Sequence, residues 1–227
     1  MPAYNEAENI QTVVDQWYPV LAEGNKNSRL VVADSGSTDD THIILHNLQK
    51  THPKLIVLSS TGKYHGQKII ALYQYAIQQK ADYVFQTDSD GQTLPEEFFA
   101  FWQARHEYDG VFGYRNVRGD GKSRAFVEKV VCFLLYLFFG VKVPDANAPF
   151  RLMKATTLKK YISRFDADYN LPNIMITTFF VYYREKYKFC KITFKPRQGG
   201  VNSINAKKIF AIGIQSLRDF ARFKSQM

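Results

Sequence analysis

Residues 82–91, Asp82-Tyr83-Val84-Phe85-Gln86-Thr87-Asp88-Ser89-Asp90-Gly91, pass from an apolar, β-prone run into a polar turn. The run suits a buried strand, and the polar residues with glycine suit the turn that ends it. Asp88 and Asp90 then lie at the carboxyl end of that strand, where both can present oxygen toward one point. Hard divalent cations such as Mg2+ and Mn2+ take oxygen ligands and bridge a few carboxylates to phosphate oxygens.

The same alternation extends in both directions. Upstream, Ile10, Val13, Val14 and Trp17 are spaced for a helix over residues 6–21. Residues 29–33 form a short apolar run that ends in Asp34-Ser35-Gly36-Ser37, a second strand with an acid at its carboxyl end. Thr38-Asp39-Asp40-Thr41 supplies a cap and an acidic first turn for a helix through Leu48, with Asp39 and Asp40 in the capping role. Leu55-Ile56-Val57-Leu58 reads as a strand and residues 66–78 as a helix. Downstream, Pro95 opens a helix to Ala104, and residues 110–114 form a further strand. Strands alternating with helices at this spacing predict an α/β fold, a mostly parallel central sheet flanked by helices. Ligands of such sheets bind outside the carboxyl ends of the strands, where Asp34, Asp88 and Asp90 fall. The second half predicts helices over residues 123–139, 172–186 and 205–224, with strands at 150–153 and 189–195.

The net charge of +9 fits nucleic acid, an anionic membrane or a phosphorylated substrate. The spacing of basic and aromatic residues matches no nucleic-acid module, so nucleic acid is not an expected partner. Cys132 and Cys190 stand far apart without metal-ligand spacing, which predicts a reducing, cytoplasmic setting. Met1-Pro2-Ala3-Tyr4-Asn5-Glu6 turns polar at once, which predicts no signal peptide. The longest apolar run, residues 130–139, falls short of the roughly 20 residues that span a bilayer. It is either a buried helix or one lying in a membrane interface.

Several motifs in order resemble glycosyltransferase family 2 enzymes of GT-A fold. Pro2-Ala3-Tyr4-Asn5-Glu6 matches that family's opening Pro-x-Tyr-Asn-Glu segment. Asp34-Ser35-Gly36-Ser37-Thr38-Asp39-Asp40-Thr41 matches its Asp-x-Gly-Ser-x-Asp-x-Thr segment, and Asp88-Ser89-Asp90-Gly91-Gln92 with Pro95-Glu96 matches its Asp-x-Asp, Gln and Pro-Glu pattern. The second half is most similar to the dolichol- and polyprenyl-phosphate mannose synthase-like branch. Gly113-Tyr114-Arg115, Arg124, Asp145, Phe150-Arg151-Leu152 and the segment Arg197-Gln198-Gly199-Gly200-Val201-Asn202-Ser203 follow that branch's order. Two departures stand out: Glu128 takes a position where the branch has Ser, and Gly66-Gln67-Lys68 matches the family's Gly-Lys-Gly-type segment poorly. The Gln-x-x-Arg-Trp pattern of processive synthases is absent. The first strand is cut short at Met1, so the start is expected to lie upstream.

The resemblance implies a nucleotide-diphospho-sugar transferase fold across one domain, residues 1–227. Residues 1–114 would form the nucleotide-sugar-binding half, and residues 115–227 the acceptor half with its amphipathic helices. Pro2, Tyr4, Glu6 and Asp34 would surround the base and ribose of a UDP- or GDP-sugar. Asp88 and Asp90 would hold Mg2+ or Mn2+ and the diphosphate, with Gln92 nearby and Arg197 on phosphate oxygen. Arg115 and Arg124 would position a lipid-phosphate acceptor, for which an arginine fork is well shaped. A sugar hydroxyl would instead require a base, for which Asp145 is the candidate. The resulting expectation is inverting transfer to a polyprenyl-phosphate-type lipid at the inner face of the membrane, with peripheral membrane contact. The alternatives are transfer to a saccharide hydroxyl in cell-envelope glycan synthesis and a non-catalytic nucleotide-sugar-binding module.

Overall fold

The computed structural model describes residues 1–118, 122–196 and 206–227, with backbone only for 116–118, 122–124 and 206–214. Strands β1 (Pro2–Ala3), β2 (Leu30–Asp34) and β3 (Leu55–Leu58) form a parallel sheet in that order. Helices α1 (Ile10–Trp17) and α2 (Thr41–Thr51) make the crossovers. Helix α3 (His65–Gln78) then leads to β4 (Tyr83–Gln86). A second sheet has the order β4, β6 (Arg151–Lys154), β5 (Gly110–Arg118), β7 (Tyr187–Phe194). Helix α4 (Phe98–Ala104) precedes β5 and α5 (Lys122–Phe139) follows it. Helices α6 (Ala155–Ile162) and α7 (Pro172–Tyr182) lie between β6 and β7, and α8 (Ala206–Ser225) closes the chain.

The α/β class with a mostly parallel arrangement is as the alternation predicts, with one addition. Strand β6 runs antiparallel to both neighbours, pairing Gln86 with Arg151 and Phe112 with Arg151. This reversal sets Arg151 level with the carboxyl end of β4. Arg151 is buried and donates to the carbonyls of Ala148 (2.7 Å) and Asn173 (2.9 Å). It thereby fastens residues 146–148, just after Asp145, to the start of α7. A buried guanidinium is tolerable only with its donors matched in this way.

Element ends differ from the sequence pattern for local reasons. The first helix stops at Trp17 and continues as a 3-10 segment, Tyr18–Glu23, because Pro19 lacks the N–H that would continue the ladder. The helix expected to reach residue 186 ends at Tyr182, and Arg184 adopts a left-handed φ of 54°. Helix α6 was not expected. It follows β6 without a glycine or proline to mark the boundary, and its apolar Ala155, Leu158 and Ile162 are buried.

Two apolar cores flank the sheets. One joins Ile10, Val14, Trp17, Val32, Leu45, Phe101 and Phe150. The other joins α3 to α5–α8 through Ile70, Tyr73, Leu135, Leu158, Phe179 and Phe220. Helix α7, apolar on all sides, is buried from Pro172 to Phe180, as such a helix must be. Gly66, in the first turn of α3, lies against the 169–170 backbone. A Cβ there would sit 2.3 Å from the Tyr169 carbonyl oxygen and 2.6 Å from the Asn170 Cα. Backbone cannot yield as a side chain does, so Gly66→Ala is expected to destabilise the fold by about 1–3 kcal/mol. Urea unfolding checks this, and an unchanged midpoint would refute the close packing.

Candidate functional site

The polar turn after β4 is held by hydrogen bonds. Gly91 takes a left-handed φ of 71°, and the Asp90 carboxylate accepts the Gln92 N–H at 3.2 Å. The Thr87 and Thr93 hydroxyls hydrogen bond at 2.7 Å and close the loop at its base. Ser89 is buried, and its hydroxyl donates to the Pro2 carbonyl at 2.8 Å. That contact sets the end of β4 beside β1 without a strand ladder between them. Burial, and then the Asp90 carboxylate, push the Asp88 carboxyl up from 3.8 to about 8. The His65 Nε2 lies 3.4 Å from Asp88 Oδ1. Two carboxylates close enough for one to raise the other offer the oxygen ligands that a hard divalent cation takes. Among the described residues there is no group of three or more His, Cys, Asp or Glu that could hold a metal.

Around this turn the loops after β1 and β2 are laced together. The Asn5 N–H donates to Ser37 Oγ (3.0 Å), and the Asn5 side chain accepts the Thr38 N–H (2.8 Å). The Glu6 N–H donates to Thr41 Oγ1 (2.8 Å), and the Ala7 N–H to Asp39 Oδ2 (3.1 Å). Asp39 also accepts the Thr41 N–H at 3.1 Å at the start of α2, whereas Asp40 makes no side-chain cap bond. Asp34 is buried at the end of β2, accepts Ser37 Oγ at 2.5 Å and lies 3.4 Å from His42 Nδ1. Glu6 is buried and accepts the Asn9 amide at 3.2 Å. Tyr4 stays partly exposed, with the Lys68 ammonium 5.1 Å from its ring centroid. Gln92 is bolted to the end of β7: its side-chain amide donates to the Lys195 carbonyl at 2.6 Å, and its backbone carbonyl accepts the Lys195 N–H at 2.8 Å.

Lys68 is a residue of this site that sequence reasoning set aside. It is 1% exposed and donates to the Ala3 carbonyl at 2.5 Å. Burial pulls its ammonium down to about 8, opposed by the Asp34 carboxylate. The signal available was a lysine within the otherwise apolar run Lys68-Ile69-Ile70.

On the other side, Arg115 and Asp145 meet in a bidentate pair. Arg115 Nε and Nη2 donate to the two Asp145 oxygens at 2.7 and 2.9 Å. Asp145 also accepts the backbone N–H groups of Arg115 (3.2 Å) and Asn147 (3.1 Å). Four donors thus converge on the two oxygens of this one carboxylate. Glu128, the departure noted in the sequence, joins the pair: its Oε2 is 3.5 Å from Arg115 Nη2, and its Oε1 accepts the Ala146 N–H at 2.8 Å. Burial, and then the Asp145 carboxylate, raise the Glu128 carboxyl above its ordinary value. Arg115 is also close enough to Asp88 to lower its pKa, so the two acidic clusters are neighbours. Arg124 lies in the first turn of α5, of which only the backbone is described, and Arg197 lies outside the described residues.

A family model, "Glycosyl transferase family 2", matches residues 1–190. An undecaprenyl-phosphate mannosyltransferase of Micrococcus luteus is 26% identical over 166 residues, covering 70% of this chain and 66% of the relative. An undecaprenyl-phosphate 4-deoxy-4-formamido-L-arabinose transferase of Pseudomonas savastanoi pv. phaseolicola is 26% identical over 157 residues, 69% of this chain and 46% of that protein. The chain therefore spans between about half and two thirds of the length of these curated relatives. Among solved structures, glucosyl-3-phosphoglycerate synthase from Mycobacterium tuberculosis, in complex with Mn2+, uridine diphosphate and phosphoglyceric acid, superposes with a TM-score of 0.65 at 18% identity. That superposition covers 95% of this chain and 74% of the other, and the likeness is one of fold.

The raised Asp88 carboxyl has a consequence for stability. Such a group binds a proton more tightly folded than unfolded, so stability is lost as pH rises from 3.8 toward about 8. With divalent cations chelated, Asp88→Asn is expected to melt a few degrees above the wild type near pH 8. The difference should vanish near pH 4, roughly the free carboxyl value. Parallel melting curves across that range would show that Asp88 carries no such strain.

Proposed function

The chain belongs to glycosyl transferase family 2 and has the GT-A fold, and on that footing we propose that it is an inverting transferase acting on a polyprenyl-phosphate-type lipid. The sugar would come from a UDP- or GDP-sugar. Residues 1–114 would serve as the donor half and residues 115–227 as the acceptor half. The observation that carries the reading is the Asp88-Ser89-Asp90 turn, tied by Ser89 to β1 beside the laced loops that bear Tyr4, Glu6 and Asp34.

Each residue then has a task its geometry suits. The loops holding Pro2, Tyr4, Glu6 and Asp34 flank the base and ribose, and Lys68 carries positive charge into their midst. Asp88 and Asp90 would hold Mg2+ or Mn2+; the repulsion between their carboxylates, which helps raise Asp88, fits a site completed by a cation. When bound, that cation supplies neutralisation of the charge building on the departing nucleoside diphosphate. Gln92 keeps the turn in place through its two bonds to Lys195. In a single displacement the acceptor oxygen forms its bond to the anomeric carbon as the bond to the diphosphate breaks. A phosphate oxygen is already ionised at neutral pH, so no base is needed. The Arg115–Asp145 pair suits this acceptor, because the bidentate contact holds the guanidinium in place beside the carboxylate turn. Arg115, Arg124 and Arg197 would then align the phosphate rather than activate it. Such an acceptor would keep the chain at the inner face of the cytoplasmic membrane, in peripheral contact with it.

One observation favours the second reading, transfer to a saccharide hydroxyl in envelope glycan synthesis. The raised Glu128 carboxyl beside Arg115 is better suited than Asp145 to accept a proton.

Radiolabelled UDP- and GDP-sugars offered with polyprenyl phosphate or with oligosaccharide separate the two. The expected outcome is label in the lipid fraction, reduced by about a hundredfold or more in Asp90→Ala. Label only in oligosaccharide supports the second reading, and donor turnover unchanged in Asp90→Ala removes both.

A further inference from the structure

Helix α2 carries His42 and His46 four residues apart, which sets both on one face of the helix, a single turn from each other. Both side chains are exposed. Their Nε2 atoms lie 3.0 Å apart, and their ring centroids are 4.3 Å apart with the planes at 78°. Rings meeting head-on would hold their centroids farther apart than this, so the two ring axes are inclined to each other. Two imidazole nitrogens on one metal ion need such an inclination. At about 2.1 Å from a shared ion they stand roughly 3 Å or slightly more from each other. The other nitrogen of His42 is already engaged. Its Nδ1 lies 3.4 Å from Oδ2 of the buried Asp34, whose Oδ1 accepts the Ser37 hydroxyl at 2.5 Å. A carboxylate at Nδ1 favours the tautomer protonated there and leaves the Nε2 lone pair facing His46. Proteins orient and strengthen metal-binding histidines by this carboxylate–imidazole order.

We propose that His42 and His46 chelate a borderline transition-metal cation, Zn2+ or Cu2+, and that Asp34 links this ion to the donor pocket. Ligand chemistry sets the cation: imidazole nitrogen suits zinc and copper, whereas the oxygens of Asp88 and Asp90 suit Mg2+ or Mn2+. The two sites therefore take different ions. Two nitrogens make up only part of a four-coordinate shell, and the exposure of both rings leaves the rest to water or a small solute. The start of α2 opposes a cation through the helix dipole. Three acids offset that: Asp34 behind His42, and Asp39 and Asp40 immediately before the helix. Lys50, one turn beyond His46, is turned to the Asn47 side-chain carbonyl at 2.9 Å. Asp34 belongs to both sites. A metal ion at Nε2 draws charge from the ring, makes Nδ1–H a stronger donor and commits Asp34 to it. A nucleotide that needs the same carboxylate then competes, so ion and donor weaken each other's binding by one common factor. The link rests on the donor reading of Asp34, whereas the chelate rests on the histidine geometry alone.

Calorimetric titration of Zn2+ into the full chain, with excess Mg2+ to occupy the carboxylate turn, tests the inference. The wild type is expected to bind zinc, and His46→Gln to bind it at least about tenfold more weakly, as even the loss of an outer partner costs that much. His46 is exposed, so an unchanged melting temperature without zinc shows that the variant is folded. With Cu2+ in place of Zn2+, electron paramagnetic resonance should show two coordinated nitrogens in the wild type and fewer in His46→Gln. The chelate is overturned if the wild type does not bind zinc, if His46→Gln binds it equally, or if the copper spectrum shows no histidine nitrogen. The link is read from the affinity for the preferred UDP- or GDP-sugar, measured with Mg2+ and with or without Zn2+. Zinc should weaken that affinity about fivefold or more in the wild type but not in His46→Gln. Zinc held by the nucleotide itself would act on both proteins alike, and an equal effect in both overturns the link. Zinc binding without binding of any sugar nucleotide defeats the donor reading and, with it, the link, but supports the chelate.

Discussion

The buried hydrogen bond from the Ser89 hydroxyl to the Pro2 carbonyl joins two sheets that share no ladder. Strand β1 is only two residues long, too short to align a neighbouring sheet by its own backbone. Ser89 and the Lys68 ammonium on the Ala3 carbonyl take over that task from either side. Ser89 turns inward to that carbonyl, and the carboxylates on either side of it stay close enough for Asp90 to raise the Asp88 carboxyl. The loops after β1 and β2 are laced to each other by Asn5, Ser37, Thr38, Asp39 and Thr41. The carboxyl ends of β1, β2 and β4 are therefore positioned as a unit, which is where this class of sheet holds its ligands.

The charges of that unit are unevenly balanced. Lys68 stands near Asp34, whereas Asp88 and Asp90 repel each other, and burial keeps the Asp88 carboxyl inclined toward its neutral form. The acceptor side is arranged differently: Arg115 is committed to Asp145 and approached by Glu128. One cluster invites a cation, and the other offers a guanidinium already held in register. An arginine pinned in this way loses little side-chain freedom when it meets an anion, though the anion must share it with two carboxylates.

The alternation of strands and helices and the acids at strand ends were legible in the sequence, because apolar runs and polar turns are local signals. Helix α6 escaped because no breaker separates it from β6. The antiparallel course of β6 escaped because it depends on how residues 140–150 return to the sheet. Asp34, Asp88 and Asp90 were nominated by position. Lys68 and Glu128 became meaningful only through partners distant in the chain, the Ala3 carbonyl and the Arg115–Asp145 pair. The sequence also treated Arg115 and Asp145 as separate groups, one for phosphate and one for a proton, whereas the fold makes them a single ion pair.

The central claim is that the strand ends form a nucleotide-sugar site whose two carboxylates act through a divalent cation. Calorimetric titration of the preferred UDP- or GDP-sugar, with and without Mn2+, addresses it directly. The account predicts binding about tenfold or more tighter with the cation, a gain that disappears in Asp90→Asn. Equal affinity with and without cation, or a cation effect that survives in Asp90→Asn, would contradict it.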